Sequence, residues 1–378
     1  MTAYKSHKNL YRLQKRIFKA LLVGDRKTAV QVQKILLAST SCILLAANEV
    51  ILFKKIFEFN HFLGSTTKNN KYGLFKHEIW QSAIRFALEP ICEALSDDRN
   101  FASTQSSTQV YDVQKVIFMH LDHFPLQRRI VTVSLHNCFH NVSYYKDFLV
   151  KNIIAPRYIK GDILHYLGMD YTASYSQVHN TLNYIFAENL LNGIESLHYS
   201  TVRYADDLIF FFKPLDDEKL LYMKLYEFLL QRGLSTIYLR LKLTSIFCGF
   251  NFIGWNFKVS NKTSFICKPS LAHYVNFTKK ALYVINNSNY KSSAKLIKLT
   301  SLVRDWHSYN KFCNLNRSLN FLCKKAFESF NKDLNQSLYS SKQMTRMIFQ
   351  SKTDSFFTKR HIILEYFFSR FCVVCGKF

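Results

Sequence analysis

Nothing in the chain restricts its fold more than the string Val202-Arg203-Tyr204-Ala205-Asp206-Asp207-Leu208-Ile209-Phe210. Val, Tyr, Ile and Phe favour a pleated backbone, so Thr201 to Lys213 reads as two strands joined tightly around Ala205-Asp206-Asp207. A bare Asp-Asp pair is ordinary in a turn, where its oxygens accept from backbone donors. Held between aromatic strands it is less ordinary. A tight hairpin sets two carboxylates side by side, and carboxylates are what hold two divalent ions, roughly 3.5 to 4 Å apart, across a transferring phosphate.

Elsewhere, Ile130-Val131-Thr132-Val133-Ser134-Leu135 suggests a second strand region, and Asn251 to Phe257 another short aromatic strand, followed by a turn at Asn261-Lys262. Tyr11 to Ala47 reads as a helical pair: Leu13, Ile17 and Ala20 or Leu21 recur at helical spacing, Gly24-Asp25 breaks the run, and a second periodic stretch follows. One face of this pair is apolar and the other carries Arg12, Lys15, Arg16, Lys19, Arg26, Lys27 and Lys34 against one acid, Asp25. A solvated helix face has the same look. Residues 61–73 and 96–109 are polar and read as loops, helices fill the centre, and the chain from about Ser270 reads mostly helical.

The charge balance narrows the partner. Lys and Arg number 51 against 26 Asp and Glu, a formal +25, and Lys268 to Arg360 alone holds 17 cations against four acids. Such a surface favours an anionic membrane or a nucleic acid. Apolar runs such as Ile35 to Ala47 and Leu208 to Phe212 fall short of the roughly 20 residues that span a bilayer, so no transmembrane helix is expected. Nine cysteines without a paired framework, and no secretory signal, point to a reduced compartment. Phe (34) and Tyr (22) are abundant while Gly (10) and Pro (5) are scarce, as in genes written in A/T-rich codons. With the first module beginning near Leu10 and no presequence before it, synthesis inside an organelle is expected.

The hairpin string resembles a polymerase palm, and the blocks around it follow the order of group II intron reverse transcriptases and maturases. Leu13 to Ala20 through Gly24-Asp25-Arg26-Lys27 and Gln33-Lys34 looks like that family's RNA-contacting N-terminal extension. Arg232-Gly233-Leu234, Gly249 to Trp255 and Lys268-Pro269-Ser270 are similar to its later palm blocks, and Val303 to Asn310 resembles its "RGWxNYY" block in the maturase or thumb domain.

Departures fall on the chemistry. Where the family carries Asp-Ile-Lys-Gly-Cys-Phe-Asp, this chain reads Ser134-Leu135-His136-Asn137-Cys138-Phe139-His140, so Ser134 stands where a metal-ligating Asp belongs and His140 replaces the second Asp of the block. The Pro-Gln-Gly block, expected near Tyr175-Ser176-Gln177-Val178-His179, is absent, and only Phe186 to Leu190 keeps a likeness. Cys372-Val373-Val374-Cys375 resembles half of the zinc element of the family's endonuclease domain. Two thiolates do not complete a four-coordinate site, so it reads as a relic and no zinc is expected.

The resemblance implies an α+β fold: a reverse-transcriptase-like palm with a small antiparallel sheet and reduced fingers, flanked by a basic helical N-terminal extension and a helical maturase/thumb domain. Residues 1–60 are expected to form the extension, 61–270 degenerate fingers and palm, 271–340 the thumb, and 341–378 a tail. The function implied is that of a group II intron maturase, binding intron RNA and no membrane and assisting splicing, with polymerase activity lost. Asp206 and Asp207 are the vestigial catalytic and Mg²⁺-ligating carboxylates, weak without a third ligand at Ser134. RNA contact is expected from Arg12, Lys15, Arg16, Lys19, Arg26, Lys27, Arg304, Lys311 and Arg317. Trp306, Tyr309 and Phe312 are candidates for base stacking, although Trp306 equally fits a core position. The alternatives are an active RNA-directed DNA polymerase in which Asp147 or Asp112 supplies the missing ligand, and a general RNA binder without intron preference. The family's distribution points to the plastid, with the mitochondrion as alternative.

Overall fold

The computed structural model describes residues 3–58, 68–102, 110–123, 128–139, 142–168, 179–237, 239–260, 264–313, 319–332 and 340–349. In chain order the helices are α1 (Ala3–Leu22), α2 (Arg26–Ala38), α3 (Thr40–Glu58), α4 (Lys68–Leu95), α5 (Val110–His123), α6 (Val142–Asn152), α7 (Arg157–Gly168), α8 (His179–Leu191), α9 (Glu218–Gln231), α10 (Leu271–Asn286), α11 (Ser292–Tyr309), α12 (Asn320–Lys332) and α13 (Ser341–Phe349). The strands are β1 (Arg129–Ser134), β2 (Thr201–Tyr204), β3 (Asp207–Phe212), β4 (Leu241–Ser245), β5 (Phe250–Phe252), β6 (Trp255–Ser260) and β7 (Ser264–Pro269). The class is α+β, with two small antiparallel sheets among helices.

The first sheet runs β2-β3-β1-β4. Leu208 to Phe212 are buried without a break because this sheet is covered on both faces. Alternation along the strand sends Leu208, Phe210 and Phe212 into one core with Val131 and Val133. Ile209 and Phe211 go into another with Ile130 and Val202. The first core is closed by α1–α4 and α6–α9, the second by α5 and the second sheet.

The N-terminal helices are bolted to α4 at its proline. Pro90 lies inside that helix and cannot donate to the carbonyl of Phe86. Gln14 Nε2 from α1 donates to the freed carbonyl at 3.0 Å, and Gln33 Nε2 from α2 donates to Ala87 O at 3.2 Å and Ile154 O at 3.1 Å. Asp25 caps α2 by accepting from Thr28 N at 3.0 Å. What reads as a helical pair is three helices, because the chain turns again at Ser39, whose hydroxyl accepts from Cys42 N at 3.2 Å.

The second sheet, β5-β6-β7, corrects the expectation of one strand over Asn251 to Phe257. Phe252 pairs with Trp255 around a two-residue loop, Ile253-Gly254, with φ of 37° and 87°. A positive φ at a β-branched residue is strained, and the surroundings enforce it. The Tyr309 hydroxyl donates to Ile253 O, Ser270 N donates to Gly254 O at 2.8 Å, and a Cβ on Gly254 would meet His273 Nδ1 at 2.8 Å. The turn expected at Asn261-Lys262 lies outside the described residues. α10–α13 pack a third core, in which Trp306 is buried and stacked on Phe277 at 4.2 Å. Of the two readings of Trp306, core packing is the one the fold adopts.

Candidate functional site

β2 and β3 close with Tyr204 opposite Asp207, leaving Ala205-Asp206 as the loop, and Ala205 takes φ 55°. Both loop carbonyls are held: Arg203 Nη1 donates to Ala205 O at 3.1 Å and Leu135 N to Asp206 O at 2.8 Å. In the β1–β3 register Ser134 lies directly opposite Asp207, and its hydroxyl hydrogen-bonds the Asp207 carboxylate. His136 Nδ1 sits 3.3 Å from Asp206 Oδ2. Burial raises the Asp207 pKa; the Ser134 bond and His136 pull it down, and the neighbouring Asp206 charge pushes it up.

The donors are therefore two carboxylates, a hydroxyl and an imidazole. Mg²⁺ prefers carboxylate and water oxygens, and a two-ion clamp needs more anionic oxygen than this set holds. Among the described residues no group of three or more His, Cys, Asp or Glu side chains is placed to share one metal ion. Asp112, offered above as a replacement ligand, is buried and bound to Lys115 at 3.0 Å. Asp147 is exposed on α6. The set does not fit a pair of Mg²⁺ ions.

Behind the hairpin lies a buried ionic cluster. The Arg203 side chain is 1% exposed, and its Nη atoms donate to Glu188 at 2.9 and 3.2 Å while Nε donates to Glu195. Asn100 Nδ2 adds a bond to Glu188 at 2.7 Å. Burial opposes the Arg203 charge, but the two carboxylates outweigh it and hold the pKa up. One cation serves two carboxylates, so burial still leaves Glu188 above its ordinary range.

The cations named from the sequence are largely at the surface. Arg12, Arg16, Lys19, Arg26, Lys27, Arg304 and Lys311 are exposed and Lys15 half-exposed, while Arg317 lies outside the described residues. On α1, Lys5, Lys8, Arg12, Lys15, Arg16 and Lys19 share an arc of about 100°, at 3.6 residues per turn. Leu10, Leu13, Ile17 and Leu21 fill the opposite side and are buried. Lys311 Nζ rests 4.8 Å from the Tyr111 ring centre. Among the described residues no single helix is long and apolar enough to cross a membrane, and α2 with the first part of α3 reaches that length only as a pair bent by 64°.

Two curated proteins match over nearly the whole chain. Maturase-like protein 1 of Euglena gracilis is 32% identical across 92% of this chain and 84% of its own length. Maturase-like protein 1 of Euglena longa is 31% identical across 97% and 94%. The chain belongs to the maturase family. No protein-family model matches it.

Three features of the chain escaped the reading of its sequence. Lys5 and Lys8 precede the expected start of the first module at Leu10, although their spacing of three residues already signals a shared helical face. The Arg203 cluster joins residues whose spacings of 8 and 15 carry no signal. His136 lies within the departing block, but its approach to Asp206 depends on the turn after β1. The Pro-Gln-Gly position and His140 fall among residues not described, apart from His179 at the start of α8, as does Cys372-Val373-Val374-Cys375.

The raised pKa of Asp207 has a measurable consequence. Between the unfolded value near 3.9 and the higher folded value the native state binds more protons than the unfolded chain, so stability falls as pH rises through that window. Asp207→Asn removes the penalty and can still accept from Ser134. Its thermal midpoint at pH 8 should exceed that of wild type, the gain shrinking towards pH 4. A gain that grows on acidification would contradict this account of Asp207.

Proposed function

We propose that this chain is a group II intron maturase: an RNA-binding protein that assists folding and splicing of an organellar intron and has lost polymerase activity. The observation that carries the reading is the cationic stripe of α1. From Lys5 to Lys19 it runs about 21 Å, long enough to face several successive phosphates of one strand. Splicing chemistry belongs to the RNA, so the protein's task is to neutralise phosphates where RNA helices converge. The β2-β3-β1-β4 sheet is assigned as the palm, residues 1–60 as the extension, 61–270 as fingers and palm, 271–340 as the thumb and 341–378 as the tail. Within it Asp206 and Asp207 are relic carboxylates. Family membership supports the assignment, as does the cost of clamping a phosphoryl group without the third carboxylate, several kcal/mol on the order of one lost electrostatic stabiliser. The proposed place of action is the plastid, on the family's distribution, with the mitochondrion as alternative; the A/T-type composition suits an organelle gene of either kind.

Crosslinking RNA to the protein in its native organelle and sequencing what co-purifies is the test. Enrichment of unspliced intron RNA at least tenfold over total transcripts is expected. A flat transcript profile would leave only a general RNA binder. The alternative of an active RNA-directed DNA polymerase draws on the Asp206-Asp207 hairpin, and primer extension on a homopolymer template separates the two. Mg²⁺-dependent synthesis that vanishes in Asp206→Ala would overturn the loss of polymerase activity.

A further inference from the structure

Seven cysteines lie among the described residues, all as free thiols, and two of them face each other. Cys267 Sγ and Cys313 Sγ are 3.4 Å apart. Cys267 is on β7, buried among the aromatic residues of the second sheet; Cys313 is half-exposed, just beyond the end of α11. Gln114 of α5 aims its side-chain amide at both sulfurs, 3.4 Å from Cys267 and 3.2 Å from Cys313. Burial pushes the Cys267 thiol well above its ordinary range, against the pull of the Gln114 amide.

The pair sits at the joint between the second sheet and the C-terminal helices. Around it, Trp255 Nε1 donates to Asn310 Oδ1 at 3.1 Å, Asn310 Nδ2 to Trp306 O at 2.9 Å, and the Tyr309 hydroxyl to Ile253 O. The Tyr309 ring lies 4.8 Å from that of Trp255. These bonds fix α11 against the strained Ile253-Gly254 loop, so the two sulfurs are held face to face by a rigid frame.

We propose that Cys267 and Cys313 form an oxidative modification site that takes a hydroperoxide and closes to a disulfide, fastening the C-terminal helices to the second sheet. Cys313, the less buried of the two thiols, attacks the peroxide O–O bond as thiolate; one oxygen stays on sulfur as sulfenic acid and the other leaves as hydroxide. Cys267 then attacks the Cys313 sulfur, the S–S bond forms, the S–O bond breaks, and water departs. Overall two thiols and one hydrogen peroxide give one disulfide and two waters. Closing from 3.4 Å to about 2.05 Å asks for a movement of little more than 1 Å. The bond encloses 45 intervening residues, which include α10 and α11. In a reducing compartment such a bond is transient and reversible by dithiols, as for a sensor.

The test uses the full chain, treated with hydrogen peroxide, blocked with an alkylating agent and digested without reductant. Mass spectrometry should find the Cys267 and Cys313 peptides joined, with the link removed by dithiothreitol, while exposed Cys248 is alkylated. The oxidised protein should melt on the order of 5 °C higher, an increase lost on reduction and absent in Cys313→Ser. Cys267→Ser, oxidised in the same way, should carry a sulfenic or sulfinic Cys313 and no link. The proposal is overturned by Cys313 joined to any other cysteine, by Cys313 oxidised to sulfinic acid in wild type while Cys267 stays free, or by both thiols remaining reduced when Cys248 has been oxidised.

Discussion

Replacing Arg203 with methionine should lower the stability of the fold by about 3–5 kcal/mol, as removal of one partner from a buried ion pair generally does. The loss comes from what remains. Glu188 and Glu195, 7% and 0% exposed, would be left facing each other without the guanidinium that now donates to both. Such a loss is a large part of the 5–15 kcal/mol that holds an ordinary domain together, so the variant should unfold at a much lower urea midpoint. The loop carrying Asp206 should loosen as well, since Arg203 also donates to Ala205 O, the residue at positive φ.

Adding Glu188→Gln and Glu195→Gln to Arg203→Met separates the two causes. If uncompensated charge is the damage, the triple variant should recover at least half of the lost stability, because neutral amides are cheaper to bury than unpaired carboxylates. If packing and the bond to Ala205 dominate, the triple variant will be as unstable as the single one. Urea midpoints of wild type, the single, the double Gln and the triple variant at pH 7 decide between them.

The hairpin and its flanks were legible in the sequence because their determinants are local. β-branched and aromatic residues favour strands, and two sequential strands need only a short turn. What stayed hidden depends on tertiary partners. Asn251 to Phe257 reads as one strand because Ile253 is a poor turn residue; only the bonds from Tyr309 and Ser270 and the approach of His273 make it turn there. Pro90 would ordinarily argue against a helix interior, and α4 tolerates it because Gln14 arrives from α1 with a donor. The facing of Ser134 and Asp207 is a matter of register: the identity of Ser134 was visible, its hydrogen bond to Asp207 was not. Trp306 lies at helical spacing from Tyr309, a pattern that suits a stacking platform or a core, and the ring of Phe277 decides for the core.

On the proposed maturase reading, neutralising the α1 stripe should remove most of the affinity for structured RNA. With Lys5, Lys8, Arg12, Lys15, Arg16 and Lys19 all changed to Gln, binding at 50 mM salt should weaken on the order of 10²–10³-fold, and the slope of log K against log salt should flatten by roughly 0.7–0.9 for each phosphate that the protein no longer neutralises. The helix itself should survive, because Gln is about as good a helix former as Lys or Arg and the buried face, Leu10, Leu13, Ile17 and Leu21, is untouched. Net charge alone predicts a different result. A second variant, with the exposed Lys219, Lys224, Lys242, Lys258, Lys279 and Lys280 changed to Gln, gives up the same six charges from scattered positions. If a diffuse field binds the RNA, the two variants weaken alike and their slopes fall together. If the stripe is the binding surface, the scattered variant keeps a slope within about one unit of wild type while the α1 variant does not. Equal weakening in both would remove the α1 stripe as the carrier of RNA binding and leave the charge of the whole chain in its place.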